Sequence, residues 1–240
     1  MKISNILAFA AGALIWAACG GPAEEVTSRI YKTDSSSELL ENESFISSAA
    51  EQNTVYISAG TLNATGCSIK KSGNGTSLSG GRNAAILVTG SGWLLMKGGS
   101  SVSDAAFAPA LAIVGGKAEG AVKLSGCTLS TLGADSPAVY LEKNKLIMDE
   151  GQLSTAGDVP AIMVPKGSDA RVELSGVLCS CPVLAQVEGT LYLKLGQYAG
   201  SETEYAGQIK IAEGGKLILD DPEGIWKGQS FGAGEIQKVF

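Results

Sequence analysis

Thr61-Leu-Asn-Ala-Thr65, Trp93-Leu-Leu-Met-Lys97, Ala121-Val-Lys-Leu-Ser125 and Lys145-Leu-Ile-Met-Asp149 share one pattern, continued by Arg171-Val-Glu-Leu-Ser175, Thr190-Leu-Tyr-Leu-Lys194 and Lys216-Leu-Ile-Leu-Asp220. In each window the second and fourth positions are apolar, from Leu62/Ala64 to Leu217/Leu219. The middle position runs freely through Asn63, Leu95, Lys123, Ile147, Glu173, Tyr192 and Ile218. Period-two alternation with one constant face marks a strand buried on one side. Its recurrence at a mean spacing of about 26 residues marks an internal repeat.

A second short apolar segment precedes each window: Val55-Tyr-Ile57, Ile86-Leu-Val88, Leu111-Ala-Ile113, Val139-Tyr-Leu141, Ile162-Met-Val164, Ala185-Gln-Val187 and Ile209-Lys-Ile211. Pro109, Pro137 and Pro160 stand just before three of them, where a missing N–H weakens no ladder. A weaker third segment follows a glycine bend or corner, as in Cys67-Ser-Ile69, Cys127-Thr-Leu129, Gly151-Gln-Leu153 and Val177-Leu-Cys179. Three short strands per repeat, small-residue corners and no helix-length segment predict an all-β chain, a parallel β-helix of about seven coils forming three stacked sheets. At about 4.8 Å per coil the stack is on the order of 30 Å long. An antiparallel sandwich also has many short strands, but it does not place the same inward pair in register seven times.

Composition narrows the function classes. The 240 residues include 32 Gly and no His, and the net charge is −6. Lack of imidazole removes Ser-His and Cys-His nucleophiles and His metal ligands. The acidic balance argues against a nucleic-acid partner. At 45 % hydrophobic and 18 % charged, the chain is too apolar to be disordered.

Met1-Lys2, the apolar run Ile6–Ala18 and the small residues before Cys19 have the layout of a secretory signal peptide, 1–18. The run is shorter than the about 20 residues a spanning helix needs. Ala17-Ala18-Cys19 resembles the lipobox of bacterial lipoproteins, with Trp16 where Leu is usual. That resemblance implies acylation of Cys19 and attachment to a membrane through the N-terminal lipid, at the outer membrane or cell surface. Residues 19–43 read as a flexible tether and 44–240 as the β-helix with its terminal caps.

The stretch Asn53–Gly73, with Gly133-Ala-Asp-Ser-Pro-Ala-Val-Tyr140 and Gly157-Asp-Val-Pro-Ala-Ile-Met163, resembles bacterial adhesin-like right-handed parallel β-helix proteins. The resemblance implies a pectin lyase-like, right-handed fold. It also implies a binding or adhesin-like role at the cell surface towards a glycan or another surface polymer. Two alternatives are a structural component of an envelope assembly and a polysaccharide lyase-like enzyme. Fold alone does not choose among them, and the sequence identifies no protein partner.

Candidate sites follow from the repeat. The outward column of the first sheet carries Tyr56, Leu87, Ala112, Tyr140 and Met163, and Tyr56, Leu87, Tyr140 and Met163 form the candidate binding face. An apolar stripe of this kind either contacts a ligand or is covered, by the tether or by a neighbouring subunit. Ser72–Arg82 is the longest insertion and a second candidate for recognition. Asp135 and Asp158 each stand two residues before a proline at one corner of adjacent coils, with Arg82 near the equivalent corner one coil earlier. There they close turns through backbone N–H groups, hold Ca²⁺, or line a lyase groove. Cys67 and Cys127 fall in one slot two coils apart, too far for a disulfide. Cys179 and Cys181 share one face of a strand but lack the second pair of a zinc site.

Overall fold

The computed structural model describes residues 31–33, 37–114, 121–198 and 202–239, and there the chain is a parallel β-solenoid of about eight turns. The signal peptide, Cys19 and residues 20–30 of the expected tether lie outside the described residues. The first sheet stacks nine strands in chain order. They run from Tyr31–Thr33 through Val55–Ile57, Ile86–Thr89, Leu111–Val114, Val139–Leu141, Pro160–Val164, Val183–Val187 and Gln208–Ile211 to Ser230–Gly232. The second sheet starts at Ser37–Glu41 and ends at Glu235–Val239.

Two expectations change here. The repeat predicts three separate sheets, but Ala121–Thr131 and Lys143–Thr155 run unbroken through the corner and join the second and third ladders into one bent sheet. The solenoid also begins inside the expected tether, because Tyr31–Thr33 pairs with Val55–Ile57 and Ser37–Glu41 pairs with Thr61–Thr65. That first turn and the last, Ser230–Gly232 with Glu235–Val239, add a strand at each end of the expected seven, so nine strands stack over about eight turns. Both end turns escape the periodicity for one reason. The column Leu62, Leu94, Val122, Leu146, Val172, Leu193, Leu219 is flanked in register by Glu38 and Lys238, charges where the pattern demands an apolar residue. Among the described residues an end turn has a stacked neighbour on one side only, so its inward position can carry a charge. Glu38 there accepts hydrogen bonds from the Tyr31 hydroxyl and, at 3.0 Å, from Thr33 Oγ1.

The central column is the core of the molecule. Its seven residues are at most 1 % exposed except Leu219, at 2 %. Each buried aliphatic side chain contributes about 1.5–3 kcal/mol. The register corrects one alignment: Arg171 lies opposite Tyr192, not Thr190. A slip of two residues leaves every side chain on its own face, so alternation alone cannot reveal it.

A second inward column is polar: Ser47, Lys71, Ser103, Thr131 and Thr155 stack in register at the end of the third ladder. Ser103, Thr131 and Thr155 bond the corners that follow them, and Lys71 reaches back to the corner of the preceding turn. Lys71 Nζ donates to the Ala49 carbonyl, Ser103 Oγ accepts from Ala105 N–H, Thr131 Oγ1 donates to the Ser136 carbonyl, and Thr155 Oγ1 donates to the Val159 carbonyl. Cys67 and Cys127 keep their expected slot as buried free thiols, alternating with Gly99 and Gly151. A Cβ on Gly99 or Gly151 would lie 2.2 or 2.1 Å from the carbonyl oxygen of Cys67 or Cys127. Burial pushes the Cys127 thiol up to about 11.

The interior is open to two measurements. Leu146→Ala leaves a cavity in the middle of the column and lowers stability by about 2–5 kcal/mol in denaturant unfolding. Burial also holds the Lys71 ammonium down at about 8, partly opposed by Glu51 and Asp104. Its folded value lies below its unfolded one, so the unfolded chain binds more protons across that interval and stability rises with pH. From pH 8 to 10 the rise from this group is about 2 kcal/mol, and it disappears in Lys71→Met when unfolding is followed across that range.

Candidate functional site

The outward column of the first sheet reads, in register, Lys32, Tyr56, Leu87, Ala112, Tyr140, Met163, Gln186, Lys210 and Phe231. Its middle is not an exposed face. Leu87 is 5 % exposed, Ala112 0 % and Tyr140 4 %. These three form a small apolar cluster with Ala84, against which Tyr56, Leu78, Val114 and Met163 pack. The expected four-residue binding face is therefore corrected: Leu87 and Tyr140 are buried, and Tyr56 and Met163 are half-buried.

Among the described residues the Ser72–Arg82 insertion, together with the residues that follow it, provides this cover. Asn53 Nδ2 donates to the carbonyls of Gly81 (2.7 Å) and Ala84 (3.1 Å), and Gly80 N–H donates to Glu142 Oε1 at 3.0 Å. The same carboxylate accepts from the Tyr140 hydroxyl at 3.1 Å. Burial and the neighbouring Glu142 push the Tyr140 hydroxyl well above the usual phenol range, so it stays a neutral donor. Gly81 lies flat on the sheet with φ of 61°, and a Cβ there would meet Ala112 Cβ at 2.6 Å and Leu87 Cδ1 at 2.8 Å.

Beyond the insertion the face is open. A cavity of about 410 Å³ is lined by Leu78, Phe107, Asp135, Pro137, Asp158, Val159, Pro160, Met163 and Gln186. A second, of about 610 Å³, is lined by Gln186, Gln208, Lys210, Ile211, Ala212, Phe231 and Gly232. They share Gln186 and together make one groove along the C-terminal half of the first sheet. Gln186 Nε2 donates to Glu188 Oε1 at 3.0 Å, which orients its carboxamide.

The corner of the groove is built by repetition. Phe107, Asp135 and Asp158 each stand two residues before a proline, Pro109, Pro137 and Pro160, so successive turns place them one above another. Phe107 and Asp135 are both left-handed, at φ of 50° and 53°. Asp tolerates that conformation, whereas for Phe it is unfavourable by roughly 1–2 kcal/mol. The surrounding hydrogen bonds hold it. Phe107 N–H donates to the Ala134 carbonyl at 3.1 Å, and Ala108 N–H donates to Ser136 Oγ at 3.0 Å. Ser136, fully buried, donates in turn to the Ala105 carbonyl at 2.7 Å. The polar interior column reaches the same turns, through Thr131 to Ser136 and Thr155 to Val159.

Phe107 is a site residue that the sequence candidates omit. Its signal is the common offset to proline, which marks the corner for an aromatic residue as well as for an acid. Both carboxylates line the first cavity, as their shared corner implies. Among the described residues no group of three or more His, Cys, Asp or Glu assembles to hold a metal ion. Arg82, the cation expected near this corner, is exposed and lines neither cavity. The arrangement offers an aromatic face, an apolar floor of Leu78, Pro137, Pro160 and Met163, and carboxylate and carboxamide groups at the rim. Such a surface can stack a sugar ring and accept its hydroxyl hydrogen bonds. No protein-family model, curated protein or solved structure matches this chain.

Gly81→Ala tests the cover. Strain and the clash with Ala112 lift the insertion, so trypsin cleaves after Arg82 at least several-fold faster than in the unmodified protein, with the solenoid itself intact.

Proposed function

We propose that the protein is a lipid-anchored, surface-displayed binding protein that holds an extended glycan along the groove from Phe107 to Phe231. The observation that carries this reading is the ladder of Phe107, Asp135 and Asp158 at the mouth of an open groove on a rigid sheet. From Met163 to Phe231 the groove spans three turns, about 14 Å, the scale of a short oligosaccharide. The N-terminal leader and Cys19 supply the anchor, and a rod whose backbone is paired along its length presents the groove without ordering loops on binding.

Charge narrows the ligand. Two carboxylates at the corner and a net charge of −6 oppose a polyuronate and favour a neutral or amine-bearing saccharide. The lyase alternative loses support for the same reason, because its substrate is an acidic polymer and Arg82 does not face the two carboxylates from within the groove.

The test is a binding panel of neutral, amine-bearing and uronate oligosaccharides. Neutral or amine-bearing chains bind, and Phe107→Ala or the double change Asp135→Asn with Asp158→Asn weakens them tenfold or more, about 1.4 kcal/mol. A panel with no binder, a preference for uronates, or affinity unchanged in these variants would overturn the proposal.

A further inference from the structure

The polar interior column does not end at Thr155. Leu153 pairs with Cys179 and Ser154 with Ser180, so the next position in the column, opposite Thr155, belongs to Cys181. Ser103, Thr131 and Thr155 bond the corner that follows each of them. Cys181 differs: it shares one face of the chain with Cys179 two residues earlier, and both pack against the core. Neither is in a disulfide, and both are half-buried rather than sealed like Cys67 and Cys127.

Among the described residues Leu178–Ser180 is the last strand of the third ladder. The buried Tyr205 lies beside it, its hydroxyl accepting from Val177 N–H at 3.3 Å. Both cysteines remain partly open to solvent. Among the described residues no third His, Cys, Asp or Glu joins them. Zinc requires about four protein ligands, and calcium or magnesium requires oxygen ligands, so this pair suits neither. Two soft thiolates alone suit a monovalent d¹⁰ cation.

We infer that Cys179 and Cys181 form a two-coordinate site for a soft monovalent metal ion, Cu(I) in the first instance. Binding exchanges two S–H bonds for two S–Cu bonds: Cu⁺ and two thiols give a bis-thiolate complex of charge −1 and release two protons. No electron is transferred. The site is independent of the groove and of the ligand proposed for it.

Anaerobic titration of the reduced full chain with Cu(I), in competition with a chromophoric Cu(I) chelator, tests the inference. One ion binds per chain, with thiolate-to-metal ultraviolet absorption and protection of two thiols from a thiol reagent. Cys179→Ser and Cys181→Ser each weaken binding at least a hundredfold, while Cys67→Ser leaves it unchanged and all three keep the unmodified melting temperature within a few degrees. Equal uptake in the two site variants, no uptake by the unmodified protein, or Zn²⁺ competing as effectively as Cu(I) would overturn the site.

Discussion

Parallel stacking in register is the constraint from which the rest of the molecule follows. Each inward side chain lies on its equivalent one turn earlier, so the interior is a set of columns rather than a pool of contacts. Leu146 is flanked in its column by Val122 and Val172, and any substitution there is felt by both neighbours. The same stacking brings residues a full repeat apart in the chain into a line, which is how Phe107, Asp135 and Asp158 come to share a corner. Regular spacing along a rigid rod is therefore a property of the candidate site as much as of the core.

One irregularity converts the repeat into a site. The Ser72–Arg82 insertion lies back over the first sheet and buries Leu87, Ala112 and Tyr140, held by Asn53 from one side and Glu142 from the other. The covered half needs no ligand or partner to satisfy it. The uncovered half starts at the insertion's edge, where Leu78 forms one wall of the first cavity. Two features that read as separate recognition elements thus satisfy each other, and the groove is what remains.

Much of the fold is legible because a β-helix writes its core as a periodic pattern. Leu62, Leu94, Val122 and Leu146 align in the sequence, and they do stack. The end turns are hidden by Glu38 and Lys238, charges that stand at the two ends of the apolar column. Ser100–Ser103 is equally silent as a strand, since Ser101 and Ser103 are buried through hydrogen bonding rather than hydrophobicity; Ser101 Oγ donates to the Ala110 carbonyl at 2.7 Å. The candidate site is half legible. Local sequence shows that Tyr140 points outward and that Asp135 and Asp158 share a corner, but it cannot show a loop returning across three turns to bury the tyrosine. That is a tertiary fact, set by the length of the insertion and by partners as distant as Glu142.

Distance along the stack is the most direct check. Lys32 and Lys210 lie in one outward column of the first sheet, seven turns apart, about 34 Å at the spacing of paired strands. Spin labels at these two positions, measured by double electron–electron resonance, should give one narrow distribution centred near that separation. A broad distribution, or one much shorter because the chain doubles back between layers, would contradict the stacked solenoid and the groove that depends on it.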